Sequence, residues 1–168
     1  MRSHWKAFFT RHEPSCGSFL IGMKSGAGGM LGMGLVAGLA AFTELPFLIA
    51  PFGASAVLLF AHPATPLAQP ANVVGGYALA AMVGLVLTLL FPAAVWAAAL
   101  GVGLAIALML AFRVSHPPAG AVPILMVLSP GDPMALSGVV VTGSLALVAL
   151  AILYHRVPPR HDYPRRPA

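Results

Sequence analysis

Two gapless, similar stretches, Pro51-Phe-Gly-Ala-Ser-Ala-Val-Leu-Leu-Phe and Pro118-Ala-Gly-Ala-Val-Pro-Ile-Leu-Met-Val, stand 67 residues apart in a chain of almost continuous apolar sequence. At that offset Pro51 pairs with Pro118, Gly53 with Gly120, Ala54 with Ala121 and Leu58 with Leu125, and the identities run on to Gly76 and Gly143. Ten of 26 consecutive positions are identical, too many for compositional bias alone. The chain therefore reads as a duplication in which each copy carries one proline-broken apolar segment. Repeated units with interrupted hydrophobic segments point to the binding site of a membrane transporter.

Lipid is the solvent such a chain is built for. Charged residues make up 8% and hydrophobic residues 59%, whereas about a quarter of a soluble domain is charged. All nine Lys and Arg except Arg113 lie in two flanking groups, Arg2, Lys6, Arg11 and Lys24 or Arg156, Arg160, Arg165 and Arg166. The basic balance thus reflects topology, and nucleic acid is not an expected partner. By the positive-inside rule both groups are cytoplasmic, so the chain crosses an even number of times. Residues 1–24 form a basic N-terminal segment without the layout of a cleaved signal peptide. Trp5, Phe8 and Phe9 beside Lys6 and Arg11 fit either a short interfacial segment or a disordered tail. Residues 155–168 form a basic cytoplasmic tail. Cys16 is alone and excludes an intrachain disulfide.

Four segments suit continuous helices across a hydrocarbon core of about 30 Å, namely Ser25–Phe42, Asn72–Phe91, Ala93–Phe112 and Ala135–Tyr154. Two more, Leu45–Ala61 and Val114–Leu128, carry Pro46 and Pro51, or Pro117, Pro118 and Pro123. Proline lacks an amide donor and clashes with the preceding turn, so each helix is expected to begin near Pro51 and Pro118 after an extended lead-in. The fold class is an all-α membrane protein, a compact bundle of two repeats at about residues 25–91 and 92–154. Each repeat has two full spans and one half-helix. Six crossings are preferred, and an odd number per repeat makes the halves inverted. The competing arrangement has four spans and two re-entrant segments. The glycine-dense first span is expected inside the bundle, packed on its repeat mate near Gly101 and Gly103.

A helix start leaves amide N–H groups without intrahelical partners and about half a positive charge, so it attracts anions. Two such starts, near Gly53, Ala54 and Ser55 and near Gly120 and Ala121, would meet at mid-bilayer in inverted repeats. The bland alternative is two prolines that merely kink packed helices. Arg113-Val-Ser115-His116-Pro117-Pro118 is the one cluster of ionisable and hydroxyl groups interrupting the apolar interior. Such groups at membrane depth are costly and mark substrate or proton pathways. His116 can donate to an anion, carry a coupling proton, or simply fix the extended backbone before the prolines. Arg113 is either a charge attractor or a snorkelling span-end residue. Asn72 is read as a cap for the next span, Glu44 as a cap or ion-pair partner, and Asp132 as a turn residue. His62, His116 and the methionines form no ligand pair at helical spacing, so no metal is expected. No catalytic triad, nucleotide loop or carboxylate pair appears, so neither an enzyme nor a cofactor is expected.

Ser115-His116-Pro117-Pro118-Ala119-Gly120-Ala121, with Ala50-Pro51-Phe52-Gly53-Ala54-Ser55-Ala56-Val57-Leu58-Leu59-Phe60 and the following Gln69-Pro70-x-Asn72-Val73-Val74-Gly75-Gly76, closely resembles the HPP family of integral membrane proteins. That family is named for the residues at His116-Pro117-Pro118. The likeness covers about residues 25–154, and its three motifs occur in order. It implies a protein of several transmembrane segments from a family with members linked to nitrite transport.

The sequence is accordingly read as a bacterial inner-membrane transporter or channel for a small inorganic anion, nitrite first. The anion would sit by Gly53, Ala54, Ser55, Gly120 and Ala121, with Ser115 and His116 as polar partners and Arg113 as charge attractor. Pro51, Pro117 and Pro118 are the structural motif. The alternatives are a non-transporting membrane scaffold and a carrier of another small solute. So small a bundle also suits a homo-oligomer.

Overall fold

The computed structural model describes residues 19–165, so the expected interfacial segment around Trp5 and Phe8 lies outside the described residues. These residues form six α-helices and no strand. Helix α1 is Phe19–Thr43 and α2 is Ala50–Ala61, followed by a 3-10 turn at Pro66–Ala68. Helix α3 is Pro70–Leu90 and α4 is Val95–Ala111. A second 3-10 turn, Pro117–Ala121, leads directly into α5, Val122–Leu128, and α6 is Pro133–Tyr154.

Helices α1, α3 and α6, of 25, 21 and 22 residues, are long and apolar enough to cross a membrane. Helix α4 has 17 residues, about 25 Å at 1.5 Å per residue, and begins two residues later than the expected Ala93. The reason lies in the hairpin before it. Pro92 ends α3, and Ala93 takes a left-handed φ of 58° that lets its N–H reach the Val127 carbonyl at 3.1 Å.

The broken segments start as their prolines dictate, but differently. Pro51 occupies the first turn of α2, and Ile49 before it is extended. The lead-in satisfies its own backbone through successive short turns, Phe47 N–H to Leu45 O at 2.8 Å and Ile49 N–H to Phe47 O at 3.0 Å. Local pairing of this kind is required where water is absent. In the second segment Pro123 has no N–H to give the Ala119 carbonyl. Val122 donates to Ala119 instead, and that i→i−3 bond keeps the first turn in 3-10 form until α5 begins.

Contacts across the bundle gather the chain at two ends. Tyr154 Oη donates to Lys24 O at 2.8 Å, and Asn72 Nδ2 donates to Ser115 O at 3.1 Å. These bonds bring the starts of α1 and α3 together with the ends of α4 and α6. The Ala93–Val127 bond joins the α3–α4 hairpin to the end of α5 at the other end. Helices α3 and α6 pack on each other at the centre, α3 chiefly on α4 and α5, and α6 on α1 and α2. The last helix of each half therefore packs mainly on the opposite half.

The first span is peripheral, which corrects the expectation that it lies inside the bundle against α4. Only Gly28, Gly32 and Val36 of α1 are buried. A Cβ at Gly28 would stand 2.6 Å from Phe60 Cδ1, and one at Gly32 would stand 2.8 Å from Phe60 Cε2. The glycine groove thus receives Phe60 of α2, while Gly26, Gly29, Gly34 and Gly38 face open space. Gly101 receives Pro123 of α5 instead of α1. Asn72 is not the cap of α3. Gln69 holds that position with Pro70 in the first turn. Asp132 does cap α6, accepting from Met134 N–H at 2.9 Å and Ala135 N–H at 3.2 Å.

At the centre Phe52 lies edge-on to Tyr77, ring centroids 5.4 Å apart, and seats against Gly143 of α6, where a Cβ would overlap its ring. Gly138 of the same helix faces open space. Gly143→Ala is expected to lower stability by about 1–3 kcal/mol through overpacking, whereas Gly138→Ala leaves it unchanged or raises it by up to about 1 kcal/mol through helix propensity. Thermal unfolding of both variants in detergent measures the contrast.

Candidate functional site

The Arg113–His116 segment is placed by how α4 stops. Arg113 adopts φ 58°, its N–H bonds Leu110 O at 3.2 Å, and Val114 N–H bonds Met109 O at 2.9 Å. This is a Schellman ending with arginine in the position that usually carries glycine. The chain then runs extended across the start of α3, because Gly75 and Gly76 leave room. A Cβ at Gly76 would stand 2.8 Å from His116 Cβ and 3.1 Å from Val114 O, and one at Gly75 would stand 3.1 Å from Val114 Cβ. The Asn72–Ser115 bond fixes the register.

This approach seats His116 at 0% exposure in the bundle. Its Nδ1 lies 2.8 Å from the Leu67 carbonyl, and its Nε2 lies 2.7 Å from Ser55 Oγ. Ser55 Oγ in turn lies 2.7 Å from Tyr77 Oη. Ser55 and Tyr77 are also fully buried, and the Tyr77 ring stands 5.2 Å from that of His116.

The carbonyl fixes the polarity of this chain. Leu67 O can only accept, so Nδ1 carries a proton. With a neutral ring Nε2 accepts, so Ser55 donates to His116 and Tyr77 donates to Ser55. With a protonated ring Nε2–H donates to Ser55, and the bond beyond it can reverse, because each hydroxyl both donates and accepts. In the reversed state Ser55 donates to Tyr77, and the Tyr77 proton turns toward a new acceptor. The arrangement can therefore move a proton and change which end of the chain offers a donor.

The sequence-selected residues fall into distinct places. Ser55 and His116, one from each broken segment, are brought together. Ser115, Pro117, Gly120 and Ala121 line, with His116, a cavity of about 440 Å³ between α4 and the second broken segment, whose other walls are apolar. Gly53 lines another, of about 290 Å³, between α1 and α2. The two helix starts thus open onto separate cavities. Ala54 and Ala121 sit on exposed faces, Pro51 is buried, Pro118 half-buried, and Arg113 exposed. The helix starts have no side-chain caps, but they keep few amides free. Pro51, Pro117 and Pro118 have none, Phe52 N–H bonds Ile49 O at 3.1 Å, and Ala119 N–H bonds His116 O at 3.0 Å.

Tyr77 and the Leu67 carbonyl are members that sequence reasoning passed over. A tyrosine inside an apolar span needs a partner for its hydroxyl, and Tyr77 directly follows Gly75-Gly76. That adjacency was the available signal. The Leu67 carbonyl carries no side-chain signature at all.

The family described as "HPP, transmembrane region" matches residues 14–164. A transmembrane protein of Dictyostelium discoideum is 36% identical, over 72% of this chain and 42% of its own length. A second transmembrane protein of that organism is 34% identical, over 72% of this chain and 45% of its own. The chain thus spans less than half the length of these curated relatives. No solved structure matches it.

Ser55→Ala strips the buried Nε2 of its partner and is expected to cost about 1–3 kcal/mol, the penalty of an unsatisfied buried polar atom. Tyr77→Phe removes only the terminal donor and is expected to cost less. Because the two residues share one chain of bonds, the double variant falls short of the sum. Thermal unfolding of the three variants in detergent tests both points.

Proposed function

The chain belongs to the HPP transmembrane family, and we propose that it transports a small inorganic anion, nitrite first, together with a proton carried by His116. The observation that supports this reading is the buried, reversible chain of Tyr77, Ser55, His116 and Leu67 O. Proton arrival at His116 Nε2 swings the Tyr77 hydroxyl outward as a donor, and an anion is the acceptor that benefits. Loss of the proton restores the inward chain and releases the anion. One proton then accompanies one anion, and no net charge crosses a low-dielectric interior where a lone ion is costly.

Two copies of one unit, inverted with respect to each other, account for the shape. Each copy would supply two full spans and one broken segment, giving six crossings with the start of α1 and the end of α6 on one side, the cytoplasmic one in this reading. The arrangement of α3 and α6, each packed on the opposite half, fits a two-fold relation in the membrane plane. In this reading Gly53 and Gly120 keep the backbone approachable, Ser115 adds a polar wall to the larger cavity, and Arg113 draws anions to the surface. The role is transport and not catalysis. The Dictyostelium relatives favour a cellular membrane in general over a bacterial inner membrane in particular.

A structural reading is favoured by one feature. Every polar atom of the chain is already paired, as in a pin that merely holds two broken segments together. Flux separates the two. Nitrite uptake into proteoliposomes is measured at two pH values beside empty liposomes. Uptake above background that rises with an inward proton gradient supports transport, and His116→Gln is expected to abolish the pH dependence while His116→Ala abolishes uptake. Uptake equal to that of empty liposomes under every gradient would sink the transport reading in favour of the pin.

A further inference from the structure

Beyond α6 the chain turns back over the bundle end where α2 stops. His155 follows Tyr154, and its Nε2 lies 2.8 Å from the Leu59 carbonyl. A carbonyl only accepts, so Nε2 carries the proton, and Nδ1 of the neutral ring is a bare lone pair. That Nδ1 is buried with no hydrogen-bond partner, in a residue only 1% exposed. His161 and Tyr163 from residues 156–165 cover the ring at 5.5 Å and 5.4 Å between centroids. Phe60 lies on another side at 6.1 Å.

Residues 156–165 are tied down at several points. Lys24 Nζ donates to Val157 O at 2.6 Å and to Pro159 O. His161 N–H donates to His155 O at 3.2 Å. Tyr163 Oη donates to Ala68 O at 2.9 Å, and Arg165 N–H to Gln69 Oε1 at 2.8 Å. Arg165 Nη1 reaches Ala64 O at 3.3 Å. The Pro66–Ala68 turn is thus gripped from outside at Ala68 O, while the adjacent carbonyl, Leu67 O, accepts from His116 inside. One short turn carries both the outer strap and the inner histidine.

We propose that residues 156–165 are a proton-released strap, which clamps the Pro66–Ala68 turn and hence His116 while His155 is neutral, and lets go when His155 Nδ1 takes a proton. An added N–H at Nδ1 would be buried without an acceptor, which costs its full desolvation. The new charge would face Lys24 from α1 and His161 from the strap. The Tyr154 ring of α6 and the Tyr163 ring of the strap flank it, and α2 offers the Phe60 ring and the Leu59 carbonyl already in use. Arg156, Arg160 and Asp162, all on exposed positions of the strap, line with His155 and His161 a cavity of about 490 Å³, so two further cations and one acid border the ring.

Burial holds His155 below the ordinary histidine range, against the opposing Leu59 bond, and His161 and Lys24 push it the same way as burial. A released strap returns His155 to the ordinary range, so the released state binds the extra proton. Docking is therefore complete above that range and weakens as pH falls from it toward the depressed value of the docked state. The regulatory consequence rests on the function proposed above, and the strap itself does not.

A spin label at Asp162→Cys, in the full chain with Cys16→Ser and in lipid nanodiscs, reports the strap directly. The label is expected to be immobilised near about pH 8 and mobile near about pH 5, bracketing the histidine range. His155→Gln keeps an amide donor for Leu59 O but takes no proton, so its label should stay immobilised throughout. Tyr163→Phe, which loses the Ala68 bond, should release at higher pH than the parent. Unchanged mobility in the parent, or the same release in His155→Gln, would overturn the strap. In proteoliposomes His155→Gln should leave nitrite uptake at the higher pH intact and remove its change at acid pH. Release without any such difference in uptake would overturn the gating link. No uptake in any variant, with release intact, would overturn the transport function and leave the strap standing.

Discussion

Backbone that leaves the helix inside a bilayer must find every hydrogen bond within the protein, and this requirement shapes the bundle. Two proline-broken segments meet it in different ways. The first closes short local turns between Leu45 and Ile49 before α2 begins. The second lies along α3 so closely that only glycine fits at Gly76, and it takes Asn72 as an outside donor. Prolines lower the demand further, because Pro51, Pro117 and Pro118 bring no amide that must be paired. The histidine is carried into the bundle by this solution. Its position follows from the turn at Arg113, the extended run and the glycine pair, in that order.

A buried polar chain in such surroundings is either fully paired or costly. Here pairing is complete with a neutral imidazole. With a charged one the chain can reverse, and the Tyr77 proton is then left to find another acceptor. The same logic recurs at His155, where the unpaired atom is Nδ1 and the imbalance exists already in the neutral form. One histidine is balanced until it gains a proton. The other has a lone pair buried in advance, held in place by the aromatic rings around it.

Much of this was legible from residues alone. The long apolar runs gave α3 and α6 to within two residues of their ends, whereas α1 begins at Phe19, six residues before the expected Ser25 and inside the segment read as a tail; Pro51 marked the start of α2, because proline's missing donor acts locally. Ser55 and His116 stood out as polar groups in apolar sequence. What escaped was what only three dimensions decide. The glycines of α1 announce close packing but not the partner, which is Phe60 of α2 and not α4. Asn72 looks like a cap by type, yet Gln69-Pro70 ends the extended run first, and the side chain is left free to reach Ser115. Pro123 delays α5 through a bond it cannot give four residues back. The docking of residues 156–165 rests largely on backbone carbonyls, Ala64 and Ala68 on the bundle and Val157 and Pro159 on the strap, which no side-chain pattern encodes.

The exchange of α3 and α6 between the halves also bears on how the molecule is made. Helix α3 is synthesised before α4, α5 and α6, yet those are the helices it packs against. Its glycine positions, Gly76 for His116 and Gly84 for Met126, stay unfilled until the second half has entered the membrane. Helix α6 completes the first half in turn, bringing Gly143 to Phe52. Neither half owns a finished interior without the other, so the packing of each half waits on both.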